Sequence, residues 1–289
     1  MTESLANSSF KYCEDIAKQH YENFPVASLL LPKEKRKYVY AIYAFARAAD
    51  DFADEPDILG GSGKRLALLD EWHEKLKECY KGKAYDPIFI ALSITVKDNK
   101  IPMETLERLL KAFRQDVVKQ RYATFDEVLD YCINSANPIG RLVLMIFGCI
   151  DTEFFKYSDK ICTALQLTNF WQDVAIDLEK DRIYLPKEDL DRFGYTYEML
   201  AAKDYNESFK KLMAFETERT RGIFNEGKKL IEMCESKSGL RKLAKELKLT
   251  WLGGTTILKK IKQIDYDVFN RRPEISTLNK IGLFIRTRF

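Results

Sequence analysis

The sequence predicts an all-α fold, and three observations support this prediction. The chain of 289 residues holds only 13 glycines and 8 prolines, too few for a turn-rich β-sandwich or barrel. Apolar residues recur every three or four positions nearly throughout, which is the spacing of a buried helix face. Runs typical of β-strands are almost absent. With 46% apolar and 31% charged residues, we expect one soluble helical domain that covers residues 1–289.

The predicted helices are read from apolar stripes that follow one another along the chain. In each stripe the large apolar side chains are three or four residues apart, so that they share one helix face. The clearest stripes lie at residues 38–52, 66–76, 106–117, 142–149 and 162–177. The last of these turns polar towards its carboxyl end, which sets it apart from an ordinary core helix. Together the stripes indicate a bundle of about eight or more helices around one core.

Capping residues and glycines mark the predicted helix boundaries. Pro32 is typical of a helix start, and Thr124 with Glu127 forms a capping box before an apolar run. Residues 56–64 contain three glycines and are predicted to form a loop between helices. The spacing of a phosphate-binding loop is missing from this segment. Gly253–Gly254 interrupts a helical pattern, which predicts a kink or a close backbone approach.

The composition argues against several classes of protein. No uninterrupted run of about 18 apolar residues is present, so a membrane-spanning helix is not expected, and the first ten residues lack the pattern of a signal peptide. The six cysteines are scattered without a CxxC pair, which predicts reduced thiols in a cytoplasmic protein. The two histidines, His20 and His73, are too few for a zinc site or a histidine-based catalytic triad.

Positive charge is concentrated towards residue 289. The net charge is +3, but residues 241–289 alone hold twelve basic and four acidic residues. A solvated helix surface is the simplest interpretation. The alternative is a surface that faces phosphate groups or that binds peripherally to the inner face of a membrane. Nucleic acid is not an expected partner, because the basic residues form no known recognition motif.

Two acidic clusters on predicted helices are the strongest functional signal. Asp50 and Asp54 are four residues apart and share a helix face, although such a pair alone is as often a solvated helix end. Asn169, Asp173 and Asp177 place an amide and two carboxylates along one face of a single predicted helix. Carboxylates bind hard cations such as Mg²⁺, which also keeps phosphate oxygens as ligands. We therefore expect two acidic helices that face each other across a cavity and hold Mg²⁺ around a diphosphate.

Cationic, amide and aromatic side chains accompany the two clusters. Arg47 lies three residues before the first cluster, Gln166 lies three residues before the second, and Arg182 lies five residues after it. A guanidinium group suits phosphate oxygens, although a surface salt bridge would explain either arginine alone. Five aromatic residues are candidates for lining an apolar cavity: Phe24, Tyr43, Tyr131, Phe170 and Trp251. Core packing would also explain most of them.

These segments resemble the two signature motifs of the squalene/phytoene synthase family. The motifs are YAFARAADDFADE at residues 43–55 and QLTNFWQDVAIDLEKDRIYLP at residues 166–186, and similar landmarks run from about residue 12 to residue 272. Within the family, HYENFPVASLLLP at residues 20–32 and YCINSANPIG at residues 131–140 are most similar to the bacterial hydroxysqualene synthases of hopanoid-type squalene biosynthesis. The resemblance implies the class I isoprenoid synthase fold, a single helical domain around a central cavity.

The resemblance also implies an activity and a set of site residues. The expected reaction is the Mg²⁺-dependent conversion of presqualene diphosphate and water to hydroxysqualene and diphosphate. The aspartates implied to bind the metal are Asp50, Asp54, Asp173 and Asp177. The positions implied to bind substrate or line its tunnel are Arg47, Asn169, Arg182, Phe24, Tyr43, Tyr131 and Trp251, with Gln166 beside the second motif and Asp116 as a further polar position. The candidates for holding the reacting water are Tyr43, Tyr131 and Asn169.

Two departures from related enzymes bear on the reaction. Many phytoene and dehydrosqualene synthases have arginine at the position of Gln172, so this chain lacks a cation there. Residues 23–25, Asn-Phe-Pro, replace a serine-rich flap. Both changes favour one diphosphate over two farnesyl diphosphates. The head-to-head condensation of two farnesyl diphosphates to presqualene diphosphate, squalene or dehydrosqualene stays open, as does a non-catalytic protein that binds isoprenoid diphosphates or a membrane surface.

Overall fold

The predicted all-α fold is confirmed by a computed structural model, which describes residues 2–19, 31–54 and 61–275. In these ranges it has no β-strand, only an isolated bridge between Arg121 and Ile183. The helices are α1 (Glu3–Gln19), α2 (Lys33–Asp54), α3 (Gly61–Tyr80), α4 (Pro87–Asp98), α5 (Met103–Val118), α6 (Phe125–Ser135), α7 (Asn137–Ile146), α8 (Thr152–Gln172), α9 (Val174–Glu179), α10 (Lys187–Arg192), α11 (Tyr197–Ala201), α12 (Glu207–Gly227), α13 (Lys229–Ser236) and α14 (Arg241–Gln263).

Two helix starts agree with the capping residues that the sequence predicts. Helix α2 begins directly after Pro32. At the start of α6, the Thr124 hydroxyl accepts a hydrogen bond from the Glu127 amide at 3.3 Å. The Glu127 carboxylate accepts from the amide of Ala123 at 2.9 Å, one residue before the cap. Residues 56–60 of the predicted loop lie outside the described residues, and the prediction is wrong for residues 61–64, because α3 already begins at Gly61. The first turn of a helix has unpaired amides in any case, so small polar residues are tolerated there.

The helices that carry the two acidic clusters lie in the middle of the fold. Helix α2 packs against α1, α4, α5 and α7, and α8 packs against α7, α12 and α14. Trp171 near the end of α8 is fully buried, and its indole N–H donates to the Thr220 hydroxyl of α12 at 2.8 Å. On the other side, Phe45 of α2 packs against Trp72 of α3 and Phe89 of α4. Large buried side chains therefore fix α2, which carries the first cluster, and α8, which carries Asn169 and leads into the rest of the second cluster.

A close helix contact explains one of the two central glycines of α14. The helix runs without a break through Gly253–Gly254, and of the two predicted alternatives the close approach is present. A Cβ atom at Gly254 would lie 2.4 Å from Cζ of Phe224 and 3.0 Å from Cδ2 of Leu165. Only glycine lets α14 approach α8 and α12 this closely.

The expectation of free thiols is confirmed. All six cysteines lie within the described residues and none forms a disulfide, and five of them are buried while Cys162 is half-buried. Within the described residues, no helix is long and apolar enough to span a membrane.

Replacing Gly254 with alanine should destabilise the fold. The new methyl group would overlap the Phe224 ring, and overpacking of this kind costs about 1–3 kcal/mol. The matched control is Gly222→Ala in α12, where a Cβ would meet no atom within 4 Å. Because alanine favours a helix interior over glycine by about 1 kcal/mol, the control should gain stability. Urea denaturation measures the free energy of unfolding of each variant. A Gly254→Ala variant at least as stable as the unchanged protein would contradict the close contact.

Candidate active site

An ion pair joins the two acidic clusters directly. Arg182 donates from Nη2 to Oδ1 of Asp54 at 2.6 Å, and Lys180 donates from Nζ to Oδ2 of the same carboxylate at 3.0 Å. Arg182 and Asp54 are 128 residues apart in the sequence, and their side chains are only 13% and 25% exposed. The carboxyl end of α2 and the segment after α9 therefore form one site.

The second cluster lies on two helices rather than one. Helix α8 ends at Gln172, and Asp173, with φ −107° and ψ 16°, separates it from the short helix α9 that carries Asp177. The prediction of a single helix is therefore wrong, since the backbone leaves helical geometry at Asp173. The predicted four-residue spacing of Asn169, Asp173 and Asp177 along a helix-like backbone is nevertheless retained. The Asp173 amide donates to the Asn169 carbonyl and the Asp177 amide to the Asp173 carbonyl, both at 2.9 Å, so the polar groups follow one another at helical spacing.

Arg47 pairs with the acidic end of its own helix. Its guanidinium lies 2.5 Å from Oδ1 of Asp51 and 3.4 Å from Oδ2 of Asp50. Its buried Nε finds no hydrogen-bond acceptor among the described residues. Tyr43, one helical turn earlier on α2, is half-buried. This face of α2 therefore presents a tyrosine, an arginine and two carboxylates in sequence.

The buried carboxyl group of Asp116, on α5, lies beside Arg182. The Tyr131 hydroxyl donates to Oδ2 of Asp116 at 2.9 Å, while Oδ1 of Asp116 is buried without a partner in the described part of the chain. Burial raises the pKa of Asp116 to about 7, against the opposing effect of the Arg182 guanidinium. Tyr131 also packs against an aromatic wall in which the rings of Phe170 and Tyr184 stack 3.6 Å apart. The site thus combines a protonatable carboxyl with an apolar, water-poor wall.

The aspartates differ in their electrostatic surroundings. Burial would raise the pKa of Asp54, but the hydrogen bonds from Arg182 and Lys180 outweigh burial and lower it. Asp177 forms no ion pair with any residue that the structure describes, and burial together with the nearby Asp173 raises its pKa to about 7. Asp54 is therefore compensated by the protein's own cations, whereas Asp177 is a carboxyl with room for an added positive charge.

The donor set fits a hard divalent cation together with a phosphate ligand. In residues 2–19, 31–54 and 61–275, no three acidic, histidine or cysteine side chains converge to form a complete metal site. Mg²⁺ does not require one, since one or two protein carboxylates, waters and substrate phosphate oxygens complete its shell. The carboxylates that could contribute are Asp50, Asp54, Asp173 and Asp177.

Two contacts at the second cluster were not predicted from the sequence. Arg272 donates from Nε to Oδ1 of Asp173 at 2.7 Å and from Nη2 to Oδ2 at 3.2 Å. The buried Gln172 side chain donates from Nε2 to the Pro273 carbonyl at 2.7 Å. In the sequence, Arg272 is only one of twelve basic residues within residues 241–289. Gln172 indicates the absence of a cation at its position but gives no sign of a contact with Pro273. The sequence spacing of 99 to 101 residues carries no signal for either contact.

The remaining predicted residues have different positions. Phe24 lies outside the described residues. Gln166 is half-buried on α8, one turn before Asn169, whose amide donates to Oδ2 of Asp173 at 3.2 Å. Trp251 of α14 is half-buried, and its indole N–H donates to the Phe224 carbonyl at 2.9 Å. The structure thus places Asn169 in contact with the second cluster, and it ties Trp251 to the backbone of α12.

Removing the charge of Arg182 should destabilise the protein. In Arg182→Met, the carboxylate of Asp54 loses its closest donor, and we expect the free energy of unfolding to fall by about 1–3 kcal/mol. Urea denaturation measures the change. The matched control is Arg114→Met, which breaks an ion pair to the 70% exposed Asp70 and should cost at most about 1 kcal/mol. Equal losses in the two variants would contradict a special role for Arg182.

Asp116→Asn tests the raised pKa of the buried carboxyl. Folded Asp116 keeps its proton up to about pH 7, whereas in the unfolded chain it ionises near pH 4. The folded state binds more protons between these values, so this carboxyl lowers stability as the pH rises from about 4 to 7. Asparagine does not titrate. We therefore expect the melting temperature of Asp116→Asn to fall less between about pH 4 and about pH 7 than that of the unchanged protein. Asp130→Asn, at an exposed position of α6, is the control, and a parallel Asp116→Asn profile would contradict the assignment.

Known proteins share both the sequence pattern and the fold. A family model described as squalene/phytoene synthase matches residues 17–279. The phytoene synthase of Arthrospira platensis is 28% identical, over 97% of this chain and 92% of its own length. The 15-cis-phytoene synthase of Synechocystis is also 28% identical, over 94% of this chain and 82% of its own.

Two solved structures are similar over nearly the whole chain. The squalene synthase HpnC from Alicyclobacillus acidocaldarius is 39% identical with a TM-score of 0.84, covering 92% of this chain and 97% of that one. A dehydrosqualene synthase solved with a ligand is 28% identical with a TM-score of 0.85, covering 98% and 96%. The chain therefore belongs to the squalene/phytoene synthase family and has the all-α isoprenoid synthase fold of these relatives.

Proposed function

We propose that the protein converts presqualene diphosphate and water to hydroxysqualene and diphosphate in a Mg²⁺-dependent reaction. The family is one of isoprenoid synthases, and the chain is more similar in sequence to the HpnC squalene synthase than to the dehydrosqualene synthase or the Arthrospira phytoene synthase. A reaction of the squalene branch is therefore favoured over phytoene formation. The finer assignment depends on the charge around the second acidic cluster.

The observation that carries the proposal is the environment of Gln172. This side chain is neutral and 4% exposed, and its amide is engaged by the Pro273 carbonyl. It therefore offers no cation to a phosphate group. In the described part of the chain, the arginines at the clusters are Arg47, Arg182 and Arg272, and each is paired with an aspartate. So few spare positive charges favour a substrate with one diphosphate over two farnesyl diphosphates.

The proposed reaction exchanges one C–O bond for another. The bond from carbon to diphosphate breaks, the water oxygen forms a bond to the rearranged cation, and one proton is released. Bound Mg²⁺ would neutralise the charge that develops on the leaving diphosphate. Arg47 and Arg182 contribute fixed positive charge at the same end of the site and orient the phosphate oxygens.

The aromatic wall has a separate role in this reaction. The stacked rings of Phe170 and Tyr184, with Tyr131 against them, would stabilise a carbocation held next to them and exclude bulk water. A single held water then gives one alcohol product. The groups proposed to hold it are the Tyr43 and Tyr131 hydroxyls and the Asn169 amide.

A second candidate is the head-to-head condensation of two farnesyl diphosphates. The similarity to a dehydrosqualene synthase over 98% of this chain favours it, as do the phytoene synthases among the curated relatives. The products would be presqualene diphosphate, squalene or dehydrosqualene. A non-catalytic protein that binds isoprenoid diphosphates or a membrane surface is less favoured, because a binder has no need for the joined acidic clusters.

Product analysis distinguishes these candidates. Purified protein is incubated with Mg²⁺, without NADPH, and separately with presqualene diphosphate and with farnesyl diphosphate, and the products are identified by mass spectrometry. We expect hydroxysqualene from presqualene diphosphate and unchanged farnesyl diphosphate. Presqualene diphosphate formed from farnesyl diphosphate would instead identify the condensation reaction. No turnover of either substrate would favour the non-catalytic protein.

Substitution of the aspartates tests the metal assignment. Asp50→Ala and Asp173→Ala should each lower the rate of diphosphate release by at least about 100-fold, while the helix content by circular dichroism stays unchanged. Glu179→Ala is the control, because this carboxylate lies at the end of α9 and is exposed. Full activity in either aspartate variant would show that the assigned carboxylates are not needed.

A further inference from the structure

The segment of residues 271–275, here called the strap, lies across the second acidic cluster. Helix α8 holds it through the hydrogen bond from Gln172 to the Pro273 carbonyl at 2.7 Å. Helix α14 holds it through Lys260, whose Nζ donates to the Glu274 carbonyl at 2.7 Å. The strap has no regular secondary structure, so side-chain contacts such as these fix its path.

The contact with Gln172 is the most buried of these. Gln172 is 4% exposed and Pro273 is buried as well. A buried amide that loses its acceptor is strongly disfavoured, so the Gln172 side chain favours the position in which the strap is seen. A hydrocarbon side chain at residue 172 has no hydrogen-bond donor and would not need the Pro273 carbonyl as a partner. The identity of this one residue therefore controls how firmly the strap is held.

The strap carries Arg272 onto Asp173. Both oxygens of the Asp173 carboxylate accept from the Arg272 guanidinium, at 2.7 and 3.2 Å, and Oδ2 also accepts from the Asn169 amide. A planar guanidinium in this geometry covers the lone pairs that a divalent cation would use. Arg272 and a metal ion therefore compete for the same carboxylate, and their like charges add to the competition.

We propose that Gln172 is a positioning residue that clamps the strap, so that Arg272 occupies Asp173 until a divalent cation displaces it. The inference rests on the proposed function in one respect, namely that Asp173 binds a metal. The strap then has two positions, closed on Asp173 without metal and released from it when metal is bound. Gln172 sets the balance between the two.

Binding of Mn²⁺ alone to the substrate-free protein, followed by electron paramagnetic resonance, tests the competition. Arg272→Gln should bind Mn²⁺ at least about threefold more tightly than the unchanged protein, as expected for loss of a competing ion pair. Gln172→Leu should act in the same direction. Arg271→Gln is the matched control, since Arg271 is the exposed neighbour and should leave the affinity unchanged. Equal Mn²⁺ affinity in Arg272→Gln and the unchanged protein would overturn the proposal.

A double variant separates clamping from a general effect on folding. If Gln172 acts through Arg272, adding Gln172→Leu to Arg272→Gln should produce no further gain in Mn²⁺ affinity. A full additive gain would show that Gln172 acts on the metal by another route and would overturn its role as a clamp.

Tryptic cleavage tests the clamp without any metal. The bond after Arg271 is open to trypsin in a released strap, whereas the bond after Arg272 resists because proline follows. Gln172→Leu should be cleaved after Arg271 faster than the unchanged protein, as followed by mass spectrometry. Equal rates would overturn the clamp even if Mn²⁺ binds. Faster cleavage in a protein that binds no Mn²⁺ in any variant would instead keep the clamp and overturn the metal assignment of the proposed function.

Discussion

The ion pair between Arg182 and Asp54 is the interaction on which the site depends. Neither side chain is free in water, and a partly buried charge is tolerated only when it is paired. Once Arg182 is fixed on Asp54, the end of α2 and the segment after α9 must lie side by side. The same guanidinium lies 3.5 Å from the Asp116 carbonyl, so α5 joins them. Helices α2 and α5 and the segment after α9 are thus held at one point by one arginine.

This arrangement leaves the acidic groups unequal. Asp54 is held ionised by two cations, Asp173 is paired with an arginine from a separate segment, and Asp177 has no ion pair among the described residues and has a raised pKa. Under the proposed function, a bound cation would therefore compete with Arg272 for Asp173, whereas Asp177 has no such competitor among the described residues. The protein's own charges stabilise these carboxylates, and under that proposal they compete with the metal.

The sequence was informative where the chemistry is local. Apolar spacing predicted the helices that carry both clusters, and Thr124 and Gly254 behave as their neighbours in the sequence suggest. The break at Asp173 was missed because its hydrogen-bond spacing is almost that of a helix. The early start of α3 was missed because polar residues suit loops and first helical turns alike. The Arg272 contact was missed because a pattern of spacing along the chain cannot say which of many basic residues reaches a carboxylate about 100 positions away.

Residue 172 connects the two proposals. A glutamine there removes a positive charge from the second cluster and at the same time supplies the buried donor that holds the strap. An arginine would do the opposite on both counts, since its like charge beside Arg272 would disfavour the closed strap. If both proposals hold, residue 172 sets both the number of diphosphates that the site binds and the strength of the Arg272 contact with Asp173. Glutamine at this position would then remove a ligand for a second diphosphate and keep Arg272 in place as the counter-ion of Asp173.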